Sequence, residues 1–257
     1  MAVAIVLAGG SGSRMNSDVA KQYIKLNDRE VLYYSLYTFQ NNEHISRIIL
    51  VTRETDIEFC QKEIVKRYGF DKVTDVIAGG KERYNSVYNG IVKLDEYNKC
   101  SGDDMTADTD LADDASCDDI ILIHDGARPF VTDKMIDDVI DTVKECGACT
   151  VGVPVKDTIK VIDENGFGIE TPDRNTLWQI QTPQGFRFKL IKEAYDKMLE
   201  DKNHNITDDT MLVELYKGVK SRVIIGSYEN LKITTPEDVG IAEIFVEKFF
   251  KNFEKIS

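Results

Sequence analysis

The sequence predicts an α/β fold with a mostly parallel, Rossmann-like twisted sheet, helices on both of its faces and a projecting β-arm. Short β-branched runs alternate with longer segments of helical period along most of the 257 residues, as in parallel sheets that are covered by helices. One segment, 156–176, interrupts this alternation and has the pattern of a hairpin. Because a chain of this length can bury one sizeable core, we expect a single domain over residues 1–257.

The strands and helices are expected to follow each other in alternating order. The predicted strands are 3–8, 46–52, 73–78, 119–125, 149–155, 177–183 and 221–226, and the predicted helices lie near 31–41, 55–68, 82–94, 132–146, 187–200, 208–217 and 236–252. The last helix has a good start signal. Thr235 is a suitable N-cap, Pro236 suits the first turn, and the acidic residues that follow complement the helix dipole.

Two segments differ from this alternation. The arm, residues 156–176, contains "TIKVI", an Asn165-Gly166 turn and "FGIET", which together predict a β-hairpin. Residues 98–118 are polar, acidic and poor in large apolar side chains, and this composition predicts a disordered or mobile surface loop. A calcium site does not fit this acidic segment, because the EF-hand order of glycine and closing glutamate is absent.

The net charge of −13 is concentrated in one part of the chain. Ten acidic residues and one lysine lie between Asp95 and Asp119, so this stretch carries most of the negative charge. The acidic balance argues against a nucleic-acid partner. The sequence has no apolar run of the ~18 to 20 residues that span a bilayer, and its start lacks the features of a signal peptide. We therefore expect a cytoplasmic protein without membrane contact.

Five cysteines in a chain without an export signal predict reduced thiols. The stretch "CGAC", Cys146 to Cys149, has the spacing of a redox pair or of half a metal site. The alternative is two buried cysteines that flank a helix-to-strand turn. We favour the alternative, because the histidines are scattered and the sequence continues as a buried strand.

The stretch "LAGGSGSRMNSDVAKQY" (7–23) follows the first strand and predicts a phosphate-binding turn. Glycines leave backbone N–H groups accessible to an approaching phosphate. A P-loop is excluded because GxxxxGK[ST] is absent, and a dinucleotide fingerprint fails because Met15 replaces its third glycine. A nucleotidyltransferase loop remains, in which Arg14 and Lys21 would meet the phosphates of a nucleoside triphosphate. The competing interpretation is a plain tight turn with solvated cations.

Two further segments favour the phosphate-binding interpretation. "AGGKERYNSVYNG" (78–90) follows the third strand, and "HDGARPF" (124–130) ends the fourth. Because open parallel sheets bind ligands beyond the carboxyl ends of their strands, the three segments should meet at one crevice. Asp125 could bind Mg²⁺ or a substrate hydroxyl, and Arg128 could bind a phosphate. An Asp125–Arg128 ion pair inside the turn is the alternative, and His124 is interpreted as a hydrogen-bonding core histidine.

Eight motifs in order resemble those of the 2-C-methyl-D-erythritol 4-phosphate cytidylyltransferase family of the non-mevalonate isoprenoid pathway. They are "LAGGSGSRM", "KQY", "GGKERYNSV", "HDGARPF", "PVKDTIK", "TPDRNTLWQIQTPQGF", "ITDD" and "ENLKITTPEDVGIAE". The resemblance runs from Val3 to about Ala242. It implies that a phosphate oxygen of methylerythritol phosphate attacks the α-phosphorus of CTP, which expels pyrophosphate and leaves 4-diphosphocytidyl-2-C-methyl-D-erythritol.

The resemblance also implies residue roles, a Mg²⁺ cofactor and a homodimer. The implied catalytic residues are Arg14, Lys21 and Lys232; the implied nucleotide-binding residues are Ala8, Gly9, Gly10, Gly12, Gly80, Arg83, Ser86 and Gly126; the implied substrate-binding residues are Asp125, Arg128, Thr158, Arg174, Thr207 and Lys232; and Asp125 is the implied metal ligand. In the family the arm crosses a two-fold axis. Thr158 and Arg174 would therefore serve the site of the neighbouring subunit.

Two other functions stay open at the level of sequence. Ribitol 5-phosphate cytidylyltransferase shares the glycine loop, "KQ" and "QTPQ", but "PVKDTIK" and "TPDRNTLW" resemble the methylerythritol enzyme. A non-catalytic, nucleotide-binding regulatory protein could use the acidic segment as a docking element. The sequence also departs from the family at Gly126, where alanine is frequent. We expect this change to keep a small residue facing the nucleotide.

Overall fold

The computed structural model describes residues 1–10, 20–102, 120–201 and 205–250, and it contains the predicted α/β architecture. The strands are β1 (Ala2–Ala8), β2 (Lys25–Leu26), β3 (Arg29–Glu30), β4 (Ile45–Thr52), β5 (Val73–Ala78), β6 (Ile120–Asp125), β7 (Ala148–Pro154), β8 (Val161–Ile162), β9 (Gly168–Glu170), β10 (Trp178–Arg187) and β11 (Arg222–Ile225). The helices are α1 (Val31–Asn41), α2 (Ile57–Phe59, continuing as a π-helix over Cys60–Lys66), α3 (Arg83–Gly102), α4 (Asp133–Cys146), α5 (Phe188–Glu200), α6 (Asp209–Lys217) and α7 (Pro236–Phe250). Short 3₁₀ helices cover Lys21–Tyr23, Glu54–Asp56 and Arg174–Thr176.

The main sheet of the described chain has seven strands in the order β11-β7-β10-β6-β1-β4-β5. Strand β1 pairs in parallel with β4 and β6, β4 pairs in parallel with β5, and β11 pairs in parallel with β7. Strand β10 is antiparallel to both of its neighbours, β6 and β7. The prediction of a mostly parallel sheet is therefore confirmed.

Both faces of the sheet are covered by helices, as predicted. Successive residues of a strand point to opposite faces. Ala4 and Val6 of β1 belong to a core cluster with buried residues of α1, α4 and α7. Val3 and Ile5 belong to a second cluster with buried residues of α3, α5 and α6. Within the described ranges, no helix is both long enough and apolar enough to cross a bilayer.

The register of the parallel strands brings their carboxyl ends together. Leu7 of β1 lies opposite Asp125 of β6. Ala8 lies opposite Thr52 of β4, and Thr52 lies opposite Ala78 of β5. The three segments that follow β1, β5 and β6 therefore begin side by side at one edge of the sheet, which is the arrangement that the sequence predicted.

Helix α3 extends further than the sequence predicted. It was expected to end near residue 94 but continues to Gly102, so residues 98–102 of the predicted acidic loop are helical. The extension is stabilised by Tyr97, whose hydroxyl donates to Asp75 at 2.7 Å and whose ring lies under the Arg47 guanidinium. An ion pair between Lys99 and Asp95 supports the last turns. The remainder of the predicted loop, 103–118, lies outside the described residues.

The arm is a hairpin, as predicted, with shorter strands than the sequence suggested. Strands β8 and β9 are antiparallel, and Gly166 adopts a φ of 85° in the turn between them. This left-handed conformation favours glycine. Ile162, Phe167 and Ile169 are 58%, 72% and 67% exposed, so the arm presents apolar side chains on its surface.

The "CGAC" turn joins α4 to β7. Gly147 ends α4 in the left-handed conformation. Cys149 is buried in β7, and the half-buried Cys146 donates to the Thr142 carbonyl. Among the described residues, no group of three or more histidine, cysteine or acidic side chains is placed to bind a metal ion. The predicted position of the two cysteines at a helix-to-strand turn is confirmed, but only Cys149 is buried as predicted.

His124 is a buried structural histidine, as predicted. Its side chain is fully buried and packs against Phe39. Its Nδ1 lies 3.0 Å from the Thr182 hydroxyl oxygen, and its Nε2 lies 3.1 Å from the Arg128 carbonyl oxygen. Because a carbonyl oxygen can only accept, His124 Nε2–H donates to Arg128; Nδ1 of the neutral ring then accepts from the Thr182 hydroxyl. Burial lowers the pKa of His124 to about 4.

The low pKa of His124 predicts a specific dependence of stability on pH. The unfolded chain protonates this ring near pH 6.5, whereas the folded chain keeps it neutral to about pH 4. As pH falls between these values, His124 should therefore lower the free energy of unfolding by up to about 3 kcal/mol. We expect His124→Gln to lose this part of the pH dependence in denaturant titrations between pH 4 and 7. The same change at His44, whose side chain is 52% exposed, should preserve the wild-type pH profile; identical profiles for wild type and His124→Gln would contradict the prediction.

Candidate active site

A cavity of about 340 Å³ lies at the carboxyl edge of the sheet and joins the predicted motifs. Its walls come from the segments that follow β1, β5 and β6, together with the segment that precedes α7. The lining residues are Leu7, Gly9, Gly10, Lys21, Gln22, Gly80, Lys81, Glu82, Arg83, Ser86, Asp125, Ala127 and Lys232. Lys21 and Asp125, which the sequence assigned to one site, therefore lie in one cavity. Gly12 and Arg14 lie outside the described residues.

Gln22 fastens the described start of the glycine loop. Its side chain is 1% exposed, and its Nε2 donates to the carbonyl oxygens of Ala8 at 2.6 Å and Gly10 at 3.3 Å. Ala8 is itself buried and contributes its carbonyl to this contact. No role for Gln22 was predicted from the sequence. Its position beside Lys21 in "KQY" is the signal that could have suggested one.

Tyr23 holds the 3₁₀ helix that carries Lys21 and Gln22. Its hydroxyl group lies 2.7 Å from Thr52 Oγ1 and 3.2 Å from Cys60 Sγ. Burial, with a smaller contribution from Cys60, raises the pKa of Tyr23, so the hydroxyl stays neutral. These three consecutive residues make different contacts. Lys21 lines the cavity, the Gln22 side chain binds the start of the glycine loop, and Tyr23 anchors the 3₁₀ helix to β4.

The second glycine segment forms a tight turn into α3. The Gly80 N–H donates to Ser86 Oγ at 3.1 Å, and the Glu82 N–H donates to Asn85 Oδ1 at 3.1 Å. A Cβ at position 80 would lie 2.3 Å from the Asn85 Cβ, so a side chain there would displace the turn. The turn points the N-terminus of α3 at the cavity, and such a terminus favours anions.

Asp125 is the centre of a cluster of ion pairs. Its carboxylate lies 2.8 Å from Lys232 Nζ, 3.5 Å from Arg83 Nε and 3.9 Å from Arg128 Nε. Burial alone would raise the pKa of Asp125, but Arg83, Lys232 and Arg128 together hold it well below its usual range. Asp125 is therefore ionised. The Asp125–Arg128 ion pair inside the turn is present, but it is the longest of the three contacts.

Arg128 is oriented by the segment that leads to Lys232. Its Nη1 donates to the Asn230 carbonyl at 2.8 Å, and the Asn230 side chain donates to the Thr182 carbonyl at 2.9 Å. The Ile233 N–H donates to the Ala127 carbonyl. Burial lowers the pKa of Arg128, partly offset by Asp125. These contacts fix the distance between the turn after β6 and Lys232, and no local sequence pattern predicts them.

Arg83 contacts a second buried acid that the sequence reasoning missed. Its Nη1 lies 2.8 Å from Asp209 Oδ2, and the Asp209 side chain is 1% exposed. Burial alone would lower the pKa of Arg83, but Asp209 and Asp125 raise it above its usual value. Asp209 is the second acid of "ITDD". Two adjacent acids at a predicted helix start were the available signal.

A second cavity, of about 250 Å³, lies next to the first. Its lining residues are Arg83, Asp125, Arg128, Ile180, Gln181, Thr182, Gln184, Thr207, Asp208 and Lys232. Arg83, Asp125 and Lys232 line both cavities. These three residues therefore form the boundary between a chamber that contains the glycine segments and a chamber that contains Arg128 and Thr207.

The predicted site residues Gly126, Thr158 and Arg174 line neither cavity. Gly126 faces the core: an added Cβ would lie 2.9 Å from Leu32 Cδ1 and 3.0 Å from the Leu7 carbonyl oxygen. Ala127, rather than Gly126, lines the cavity, and the role of Gly126 in nucleotide binding stays a prediction. The Gly126 N–H donates to the Leu7 carbonyl oxygen, and this hydrogen bond orients the backbone so that an added Cβ would face the core. Thr158 and Arg174 are exposed in the arm, and Arg174 donates to the Lys156 carbonyl.

The surroundings of Asp125 do not fit a metal ion bound by that side chain. One carboxylate oxygen lies 2.8 Å from Lys232, and the other lies 3.5 Å from Arg83. A divalent cation on this carboxylate would have to displace at least one of them and would be repelled by the rest. The described residues around Asp125 therefore disfavour a metal ion on this carboxylate.

Comparison with known proteins agrees with this geometry. The family model for IspD, 2-C-methyl-D-erythritol 4-phosphate cytidylyltransferase, matches residues 2–101 and 105–248. The proteins of that name from Lachnospira eligens and Clostridium botulinum are 45% and 44% identical to this chain, each over 96% of it and 100% of their own length. The crystal structure of 4-diphosphocytidyl-2C-methyl-D-erythritol synthase from Anaerococcus prevotii is 32% identical, with a TM-score of 0.75 and 95% of each chain covered. This chain belongs to the 2-C-methyl-D-erythritol 4-phosphate cytidylyltransferase family.

Proposed function

We propose that this protein transfers CMP from CTP to 2-C-methyl-D-erythritol 4-phosphate, with release of pyrophosphate, in isoprenoid biosynthesis. The names of its relatives support this reaction. The observation that carries the proposal is the pair of adjoining cavities with Arg83, Asp125 and Lys232 at their boundary. A transfer between two anionic substrates requires two anion-binding chambers that meet at the reacting phosphorus.

The two chambers suggest which substrate each one binds. The first contains Gly9, Gly10, Lys21 and the start of α3, which suit the phosphates of CTP. The second contains Arg128 and Thr207, which suit a polyol phosphate. In this arrangement the phosphate of methylerythritol phosphate approaches the α-phosphorus of CTP past Lys232.

The chemistry needs positioned charge rather than a general base. A phosphate oxygen is already ionised at neutral pH, so the attacking group needs no deprotonation. His124 is the nearest histidine in sequence, but its ring is neutral and both of its nitrogens have partners. Lys21 and Lys232 would stabilise the charge on the transferring phosphoryl group. Arg14 lies outside the described residues, and its catalytic role stays a prediction.

Mg²⁺ is part of this proposal as a companion of the triphosphate. The cations around Asp125 disfavour a metal ion on that carboxylate, and the earlier assignment of Asp125 as a metal ligand is therefore not retained. CTP carries Mg²⁺ readily, because Mg²⁺ prefers phosphate oxygens and retains water ligands. Asp125 instead orients Lys232 and Arg83.

A homodimer formed by the arm is also part of the proposal. The arm exposes Ile162, Phe167 and Ile169, and exposed apolar clusters favour association. Thr158 and Arg174 lie in the arm and line neither of the two cavities of their own chain. In a dimer they would complete the polyol phosphate chamber of the neighbouring subunit.

The substrate assignment predicts selective turnover. Purified protein with Mg²⁺ should release pyrophosphate from CTP only when a polyol phosphate is present, and faster with 2-C-methyl-D-erythritol 4-phosphate than with ribitol 5-phosphate. A coupled pyrophosphate assay over the four nucleoside triphosphates and both acceptors measures this. Faster turnover with ribitol 5-phosphate would favour the alternative enzyme, and CTP binding without turnover would favour a regulatory protein.

Lys21 is predicted to act on the transition state. We expect Lys21→Met to lower kcat/KM by about 100- to 1,000-fold, the usual effect of removing one group that stabilises developing charge. The matched control is Lys25→Met, four residues later on the exposed surface of β2, which should retain the wild-type rate. Equal rates for wild type and Lys21→Met would refute the role of Lys21.

The arm is predicted to control the oligomeric state. Phe167→Asp combined with Ile169→Asp should convert a dimer to a monomer, because the charged side chains oppose burial of the arm surface. Sedimentation velocity measures the mass, and the same sample should lose turnover. Ile244→Asp is the control, since Ile244 is 66% exposed on α7, away from the arm. A monomeric wild type with full activity would contradict the dimer proposal.

A further inference from the structure

Asp209 has a buried carboxylate that the reaction described above does not use. Its backbone N–H donates to Gln184 Oε1 at 3.0 Å, and its Oδ1 accepts a hydrogen bond from the Tyr195 hydroxyl at 2.6 Å. The Tyr195 side chain is fully buried. Burial raises the pKa of Tyr195 and Asp209 raises it further, so the hydroxyl remains a donor. The remaining oxygen, Oδ2, lies 2.8 Å from Arg83 Nη1.

Helix capping does not explain this carboxylate. Asp209 is the first residue of α6, but the capping side chain is that of Asp208. Asp208 Oδ1 accepts from the Met211 N–H at 2.8 Å. The two adjacent acids therefore have different contacts: Asp208 caps the helix, whereas Asp209 contacts Arg83 and Tyr195.

Arg83 forms a bridge between two acids. Its Nη1 contacts Asp209, and its Nε lies 3.5 Å from Asp125 Oδ1. The other oxygen of Asp125 contacts Lys232. Without a carboxylate at 209, the planar guanidinium would be free to turn toward Asp125 and to engage both of its oxygens, as arginine does with carboxylates. That movement would displace Lys232 and shift the boundary between the two cavities.

We propose that Asp209 is a positioning residue, which holds the Arg83 guanidinium at the boundary of the two cavities and thereby leaves Asp125 to orient Lys232. This inference rests on the proposed cytidylyl transfer. Asp209 touches neither substrate in this assignment and acts through Arg83. The order of contacts, from Tyr195 through Asp209 and Arg83 to Asp125, links the buried side of α5 to the reacting groups.

A double-mutant cycle between Asp209 and Arg83 tests the proposal. Asp209→Asn preserves size and should lower kcat/KM by about 10- to 100-fold, because it removes the buried ion pair with Arg83. In an Arg83→Gln background the same substitution should change kcat/KM by less than about twofold, because the residue through which Asp209 acts is gone. A general loosening of the fold would instead cost activity equally in both backgrounds.

The controls separate this proposal from the proposed function. Asp133→Asn makes the same change at the first residue of α4, where the side chain is exposed, and should leave the kinetics unchanged. CTP affinity, measured by calorimetry, gives a second readout that needs no turnover and should show the same lack of additivity. If Asp209→Asn does not fold, Tyr195→Phe replaces it in the cycle.

The outcomes are distinct. A wild type that releases no pyrophosphate overturns the proposed function, and the calorimetric cycle then decides the role of Asp209 alone. An active wild type with an equally active Asp209→Asn variant, or equal losses in both backgrounds, overturns the positioning role and leaves the proposed function intact.

Discussion

The ion pairs of the Asp125 carboxylate are the interaction on which the rest of the site depends. Lys232, Arg83 and Arg128 come from three separate segments, and each lies within 4 Å of this one side chain. The register of β1 and β6 places Asp125 at the sheet edge, and its low pKa keeps it charged. Without that charge, three cations would repel each other in a confined space.

This arrangement gives the site fixed charges before a ligand arrives. Cations that are held by Asp125 and Asp209 do not need to move when charge develops on a transferring phosphoryl group, and such preorganisation is the main source of catalysis in these reactions. It also makes the site less positive than the sequence suggests. Arg83 and Lys232 each contact an acid, so part of their positive charge is already compensated within the protein.

The sequence was most informative where the signal is local or periodic. The alternation of β-branched and helical segments predicted the sheet, its two helical layers and the hairpin arm. The rule that ligands bind at the carboxyl ends of parallel strands predicted that Lys21, Arg83 and Asp125 would meet, and all three line the first cavity. His124 was interpreted as a hydrogen-bonding core histidine, and both of its ring nitrogens have hydrogen-bonding partners.

The sequence was least informative where a contact joins distant segments. Three contacts join residues that are far apart in sequence. They are the hydrogen bond from Gln22 to Ala8, the hydrogen bond from Arg128 to Asn230 and the ion pair between Asp209 and Arg83. The direction of a Cβ at Gly126 depends on a hydrogen bond to Leu7. Helix α3 continues beyond residue 94, where it was predicted to end, because Tyr97 contacts Asp75 and Arg47, which lie on other elements.

The central claim is that Arg83, Asp125 and Lys232 separate the binding places of two anionic substrates. A crystal structure with a non-hydrolysable CTP analogue and 2-C-methyl-D-erythritol 4-phosphate tests it most directly. The account predicts the triphosphate beside Gly9, Gly10 and Lys21, the polyol phosphate beside Arg128 and Thr207, and the three boundary residues between them. Both ligands on the same side of Asp125, or a triphosphate remote from Lys21, would contradict it.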